Sequence, residues 1–572
     1  MVSKGSLVAV LGASGAGKSS FLDVLAGRKP SSSISGQVQI NGRTDIPIKH
    51  ASRYCTQEEA LFGNLTVHQT LMYAAHFNLP KSTSLVEKNR IVDELLEEFG
   101  LQDVKDTIIG TPLLKGCSGG QVRRVSVASQ IIGLKGGILF LDEPTSGLDS
   151  VAANAVINSV RQLAVKDNAT VIATIHQPST ETFELFTHIL ILGQGSTVFF
   201  GPRDEAIQYF ESIGHPIPIR SNPSDIYLQL TNVDFASNAT DGKQKVLDLV
   251  NSFAKSDINE NMIKDIDTLI ANPLPYSKKD VGYTNGFFYQ TSVLMSRAFL
   301  NAAKNPLSYW VRVAMYVGLA ILMGTTWLQM GLDQKTIADR FAGLFFSVAF
   351  LSFMAVAGIP AFLEERHVFI RETANGLYGI ESYVISNFLI SLPFIGIITL
   401  SFSSIAYFLI GFQSSIDHFF VFVGYLFLSL IIAEAQTVFI SVAIPIFVAA
   451  LAITAFTNGL WMVVQGFFVQ KSNLPKFWYY TFHQVDFQKY AFELLLKNEF
   501  MGLILTCDSV DDMCGCMFPR NDTSKCELTG EDVLKHFDYD SINIGNWILI
   551  MTAILVFFKL STYLILKLQN RQ

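Results

Sequence analysis

The chain has 572 residues, of which 49% are hydrophobic and 16% charged, with a net charge of −7. A soluble domain carries roughly 25% charged residues, so this composition excludes a wholly soluble protein. The modest negative charge by itself decides nothing about nucleic acid, but no basic patch accompanies it and no nucleic-acid partner is expected.

The length leaves room for two to four domains. Phenylalanine occurs 45 times, mostly after residue 285. That asymmetry reads as a soluble first part joined to a lipid-soluble second part. No signal-peptide pattern opens the sequence; a strand and a glycine loop follow Met1 within a few residues. Residues 1–235 alternate strand-like apolar runs with helical patterns, which predicts an α/β domain. Ser6–Leu11, Ile138–Leu141 and Thr170–Ile175 read as buried parallel strands. Residues 236–286 turn polar and read as a connector. Over 287–305, Phe287, Phe288, Thr291, Leu294, Met295, Ala298 and Phe299 recur at helical spacing beside Arg297 and Lys304. Placed directly before the first apolar run, they predict an amphipathic helix at a membrane interface.

Residues 306–572 contain apolar runs at about 310–330, 341–363, 384–411, 418–444, 447–469 and 546–566. Each reaches the ~20 residues needed to cross a hydrocarbon core of ~30 Å, predicting six spans in a lipid bilayer. Arg366 and Arg371 after the second run, with Lys567 and Arg571 at the end, place both termini on the cytoplasmic side. The membrane itself is the plasma membrane or an internal one. The loop of about 471–545 then faces outward. It holds Cys507, Cys514, Cys516 and Cys526, read as disulfide candidates with a zinc site as the weaker alternative. It also holds the glycosylation sequon at Asn521. Glu434 inside the fourth run needs a protein partner, in either a structural or a transport-coupling role.

Gly12, Ala13, Ser14, Gly15, Ala16, Gly17, Lys18 and Ser19, with Ser20 behind them, match a phosphate loop set between a strand and a helix. Small residues let backbone N–H groups close around phosphate oxygens at a helix N-terminus. Lys18 supplies a charge to the outer phosphates of ATP and Ser19 a hydroxyl to Mg2+. About 120 residues later an apolar strand delivers Asp142, on the magnesium side, and Glu143, which polarises the attacking water. The fold class predicted is an α/β P-loop nucleotide-binding domain followed by an all-α six-helix transmembrane domain.

Cys117-Ser118-Gly119-Gly120-Gln121 followed by Val122-Arg123-Arg124 resembles the signature loop of ABC transporters. Ser146-Gly147-Leu148-Asp149 is similar to their D-loop. His176 stands at their switch histidine, and Gln57 at the glutamine that senses magnesium and the membrane domain. Cassette first and spans second, with Glu365-Arg366-His367, Asn375-Gly376-Leu377-Tyr378 and Lys489-Tyr490-Ala491-Phe492-Glu493, looks like the G subfamily, and most like its fungal half-size members.

The resemblance implies an ATPase coupled to transport of a hydrophobic molecule such as a lipid, sterol or drug. Ser118, Gly119, Gly120 and Gln121 would act on ATP held by a second half-transporter, in a homo- or heterodimer. It further implies a cavity on the dimer axis lined by Phe350, Phe353, Ala455 and Gly459, with Phe467-Phe468 as its plug. The family's cassettes begin about 25 residues before the phosphate loop, with strands and an adenine-stacking aromatic. This sequence starts eleven residues before Gly12, so its first strands are expected to be missing.

Overall fold

The computed structural model describes residues 1–29, 34–111, 114–218, 221–233, 239–274, 284–305, 309–510, 513–519 and 526–570. The chain forms two compact units: Met1–Val293 together with Val368–Ser382, and Leu294–His367 together with Tyr383–Arg571.

The first unit is built on six strands, β1 (Leu7–Gly12), β2 (Ser52–Cys55), β3 (Ile138–Asp142), β4 (Thr170–Thr174), β5 (His188–Gly193) and β6 (Ser196–Pro202). Their order is β2-β3-β4-β1-β5-β6, parallel except for the β5–β6 hairpin. β1 is buried along its whole length and β3 along all but its first residue. That burial is why their sequences run as unbroken Val, Ile, Leu and Phe rather than alternating. β1 lies between β4 and β5, so the order reverses beside it, and the phosphate loop leaves its carboxyl end. Such a switch point is where open α/β sheets bind ligands.

The polar stretch read as a connector contains two helices, Ala239–Ala254 and Asp257–Ala271. Val246, Leu249 and Phe253 are buried in the same core as Phe199 of β6 and Val171 of β4. Their spacing of three and four residues makes one apolar stripe, which the polar composition of the other faces conceals.

The second unit is helical. Among the described residues, five elements are long and apolar enough to cross a membrane: Gln334–Ala374, Ile380–Ile410, Ile416–Ala443, Phe447–Val464 and Ile544–Gln569. The run expected over 310–330 forms a shorter apolar helix, Val311–Thr326, of 16 residues. At ~1.5 Å per residue it extends ~24 Å. It stops because the chain turns its backbone to the C-terminal carbonyls of helix Ile380–Ile410: the Gln329 and Met330 amides donate to Leu409 and Ile410 oxygens at 2.8 and 2.9 Å.

The described residues include two ion pairs buried among these helices. Arg312 donates to both carboxylate oxygens of Glu434, at 3.2 and 2.7 Å, with the arginine 1% exposed. Glu434 therefore has the protein partner its position demands. Arg340 pairs with Glu499, and its second nitrogen donates to the Met330 and Gly331 carbonyls. The other oxygen of Glu499 accepts from the Gln413 amide at 3.1 Å. In the segment before the last helix, Cys507 and Cys516 form a disulfide and Cys526 is also disulfide-bonded. The Cys514 side chain and Asn521 lie outside the described residues. No cluster of metal ligands occurs among the described residues.

Removing one member of the Arg340–Glu499 pair leaves an uncompensated buried charge. Glu499→Ala should cost ~3–5 kcal/mol. It should appear as a lowered thermal midpoint and a smaller monodisperse fraction in detergent. Adding Arg340→Met to it should recover most of the loss.

Candidate nucleotide-binding site

Residues 12–17 turn out of β1 into helix Lys18–Leu25. Gly15 and Gly17 adopt φ of 75° and 94°, a region open to glycine and strained for residues with a Cβ. At Gly12 the loop passes so close to β5 that a Cβ would meet the Leu192 carbonyl oxygen at 2.6 Å. Ser14, Gly15 and Ser20 are exposed, Ala13 and Gly17 half-buried, and Ala16 buried. The Lys18 ammonium donates to the carbonyls of Gly12 at 2.6 Å and Ala13 at 3.1 Å. Burial pushes Lys18 below the usual lysine range, opposed by the charges of Glu143 and Asp142.

At the end of β3, Asp142 Oδ1 accepts from the Ser19 hydroxyl at 3.0 Å and from the Thr174 hydroxyl at 2.7 Å. The Thr174 oxygen also accepts from the Glu143 amide at 2.8 Å. Glu143 is left-handed, with φ of 50°, and its Oε2 accepts from the Gln57 side-chain amide at 3.0 Å. Lys18, Ser19, Asp142, Glu143 and Gln57 are thereby brought to one place. Their hydroxyl, carboxylate and amide oxygens are hard donors that suit Mg2+, and the loop with Lys18 suits a phosphate chain.

Among the described residues, no side-chain hydrogen bond joins the other predicted residues to this cluster. Ser118 caps helix Gly119–Ile131, accepting from the Gln121 amide at 3.3 Å, while the Gln121 side chain accepts from the Ser118 amide at 2.8 Å. A Cβ on Gly120 would meet Leu148 at 2.9 Å, which puts the signature turn beside the Gly147–Leu148 turn. Among the described residues, no hydrogen bond joins Ser118–Gln121 to the chain's own phosphate loop. Asp149, in the turn that resembles a D-loop, has a carboxylate that caps helix Ser150–Lys166 by accepting from the Ala152 amide at 2.8 Å. His176 follows β4, exposed.

Two contributors escape a sequence reading. Thr174 is fully buried and sits opposite Asp142 in the β3–β4 register, a neighbour relation that only strand order reveals. Asn375 lies in the segment Val368–Ser382, which belongs to this unit. Its side-chain oxygen accepts from the Tyr54 amide at 3.2 Å and from Arg28 at 2.8 Å. Its nitrogen donates to the Tyr54 carbonyl at 3.0 Å and to Gln130 at 2.8 Å. One amide side chain thus pairs with edge strand β2 as a neighbouring strand would.

Residues 1–146 match the family model described as ABC transporter, and residues 176–241 and 289–500 match models described as ABC-2 type transporter. A nucleotide-binding cassette on the same chain as such a membrane domain defines an ABC transporter, a class that couples ATP hydrolysis to transport. ABC transporter G family member 1 of Petunia hybrida is 36% identical over 574 residues, covering 98% of this chain and 87% of its own length. ABC transporter G family member 11 of Arabidopsis thaliana is 34% identical, covering 98% and 81%. Member 22 of Dictyostelium discoideum is 32% identical, covering 98% and 89%. The chain belongs to the G family of ABC transporters. These relatives come from plants and an amoeba, so the expected likeness to fungal members finds no support.

Asn375→Ala should expose the Tyr54 amide. Losing a hydrogen bond of ~1 kcal/mol corresponds to exchange faster by about fivefold. Hydrogen–deuterium exchange of a peptide spanning Tyr54 checks this, with peptides from β1 as the unchanged reference.

Proposed function

We propose that this chain is a half-transporter that pairs with a second copy or a related chain. In this reading it exports a hydrophobic small molecule such as a lipid, sterol or drug across the plasma membrane or an internal membrane, with the nucleotide-binding domain in the cytoplasm. One observation carries the reading. Lys18, Ser19, Asp142, Glu143 and Gln57 converge on the phosphate loop, whereas Ser118–Gln121 cap an exposed helix end away from it. A hydrolytic site complete except for its signature loop is one that a second cassette completes.

Bound Mg2+–ATP supplies the phosphoanhydride bond whose hydrolysis drives the cycle. Ser19 and Asp142 are the residues that would hold the metal, with Gln57 beside them. Gln57 also orients the Glu143 carboxylate through their hydrogen bond. Glu143 takes the proton of the attacking water, a role that requires a carboxylate held within hydrogen-bond reach. His176, exposed past β4, is the further side chain that would act in hydrolysis.

For the substrate, Phe350 and Phe353, at i and i+3 of their helix, are half-buried, as are Ala455 and Gly459 at i and i+4 of theirs. Phe467 stacks on Phe345 with centroids 4.3 Å apart, and Phe468 is 59% exposed. These aromatic and small side chains support a surface for flat apolar molecules.

Glu143→Gln should lower ATP turnover by about 10²–10⁴-fold while ATP binding persists; Lys18→Ala should lose the binding itself. Radiolabelled ATP retention and phosphate release separate the two. Lys18→Ala and Ser118→Arg chains should each be inactive alone, and their co-expression should restore part of the activity. Absence of that complementation would overturn pairing with a second copy and leave a related chain as the partner. Uptake into inside-out vesicles across a panel of lipids, sterols and drugs tests the substrate class.

A further inference from the structure

The helix that carries the signature turn also carries a buried guanidinium, that of Arg123. Arg123 lies one turn past the Ser118 cap and is 2% exposed. One terminal nitrogen donates to the carbonyl oxygens of Thr56 at 2.6 Å and Gln57 at 3.1 Å. The other donates to the carbonyl oxygens of Asp142 and Glu143, the latter at 2.8 Å. All four acceptors are main-chain oxygens. The planar fork therefore holds two chain segments, 86 residues apart in sequence between Gln57 and Glu143, at one fixed spacing. Those are the segments that present the amide and the carboxylate of the Gln57–Glu143 hydrogen bond.

Glu143 is held in a left-handed conformation that a residue with a Cβ keeps only when its surroundings impose it. Thr174 grips its amide and Arg123 its carbonyl, one on each side of that residue. Tyr54 of β2 is paired with Asn375, and the chain leaving β2 presents the Thr56 and Gln57 carbonyls. Three pieces thus meet at one guanidinium: the strand held by the 368–382 segment, the carboxylate turn and the signature helix.

We propose that Arg123 is a positioning residue for ATP hydrolysis. It fixes the Glu143 carboxylate relative to Gln57 and makes both follow any movement of the signature helix. This rests on the reading of Glu143 as the group that activates water.

The test uses the full-length chain with Arg123→Gln, Arg123→Lys and, in parallel, Glu143→Gln. Arg123→Gln should lower kcat by roughly 30–100-fold, with KM and equilibrium ATP affinity within about threefold of the parent. Arg123→Lys keeps the buried charge but cannot bridge both segments, and should lower kcat by about tenfold. In nucleotide-free protein, both should speed hydrogen exchange in peptides covering 56–57 and 142–143. If Arg123→Gln does not fold, Arg123→Lys carries the test. Turnover within about twofold of the parent in the folded variants would overturn the proposal, as would parallel losses of ATP affinity and turnover, which mark a folding role. Parent-like turnover in Glu143→Gln would sink the reading of that carboxylate and this inference with it. An inactive Glu143→Gln beside a fully active Arg123→Gln would sink this inference alone.

Discussion

The Thr174 hydroxyl donates to the Asp142 carboxylate and accepts from the Glu143 amide, and the arrangement of the candidate nucleotide site turns on that single oxygen. The β3–β4 register sets Thr174 directly opposite Asp142. Its bond to the carboxylate keeps Asp142 within reach of Ser19, at the mouth of the phosphate loop. Its bond to the amide helps to hold Glu143 in a backbone conformation that turns the carboxylate toward Gln57. A parallel sheet with β1, β3 and β4 as neighbours is what lets residues from three distant parts of the chain share one oxygen's surroundings.

The same logic, polar groups held by partners from elsewhere in the chain, orders the first unit at its edge. Among the described residues β2 has no strand outside it, and an unpaired edge leaves N–H and C=O groups to be satisfied. Asn375 meets both groups of Tyr54, and Arg53 donates back to the Asn375 carbonyl at 3.2 Å. The result is a reciprocal contact made of hydrogen bonds rather than apolar area. Such contacts are directional, so displacement of the 368–382 segment acts on β2 along defined bonds. In the second unit, the low polarity around the helices makes an isolated charge costly. Arg312 with Glu434, and Arg340 with Glu499, meet that constraint with side chains from different helices.

Much of this was legible before any coordinates. The phosphate loop, the Asp142–Glu143 pair and the long apolar runs are local patterns, because backbone sterics, helix length and bilayer thickness act over a few to about 25 residues. The three strands read from β-branched runs appear within a residue of their expected ends. The helices of 239–271 were missed because three buried residues in a polar stretch make a weak stripe. The first span came out shorter than its apolar run because Gln329 and Met330 pair with the end of a helix 80 residues away.

By itself, the sequence determined the family, the phosphate-binding chemistry and the presence of several membrane helices, since each is written in contiguous residues of fixed type. Only the tertiary structure decided that Thr174 joins the two acidic residues, that Asn375 closes the sheet edge, that Arg123 spans two segments, that Arg312 is the partner of Glu434 and that Asp149 serves as a helix cap. Each of these depends on which distant segments become neighbours. Hydrogen bonds and ion pairs across such distances leave no periodicity in the chain to read.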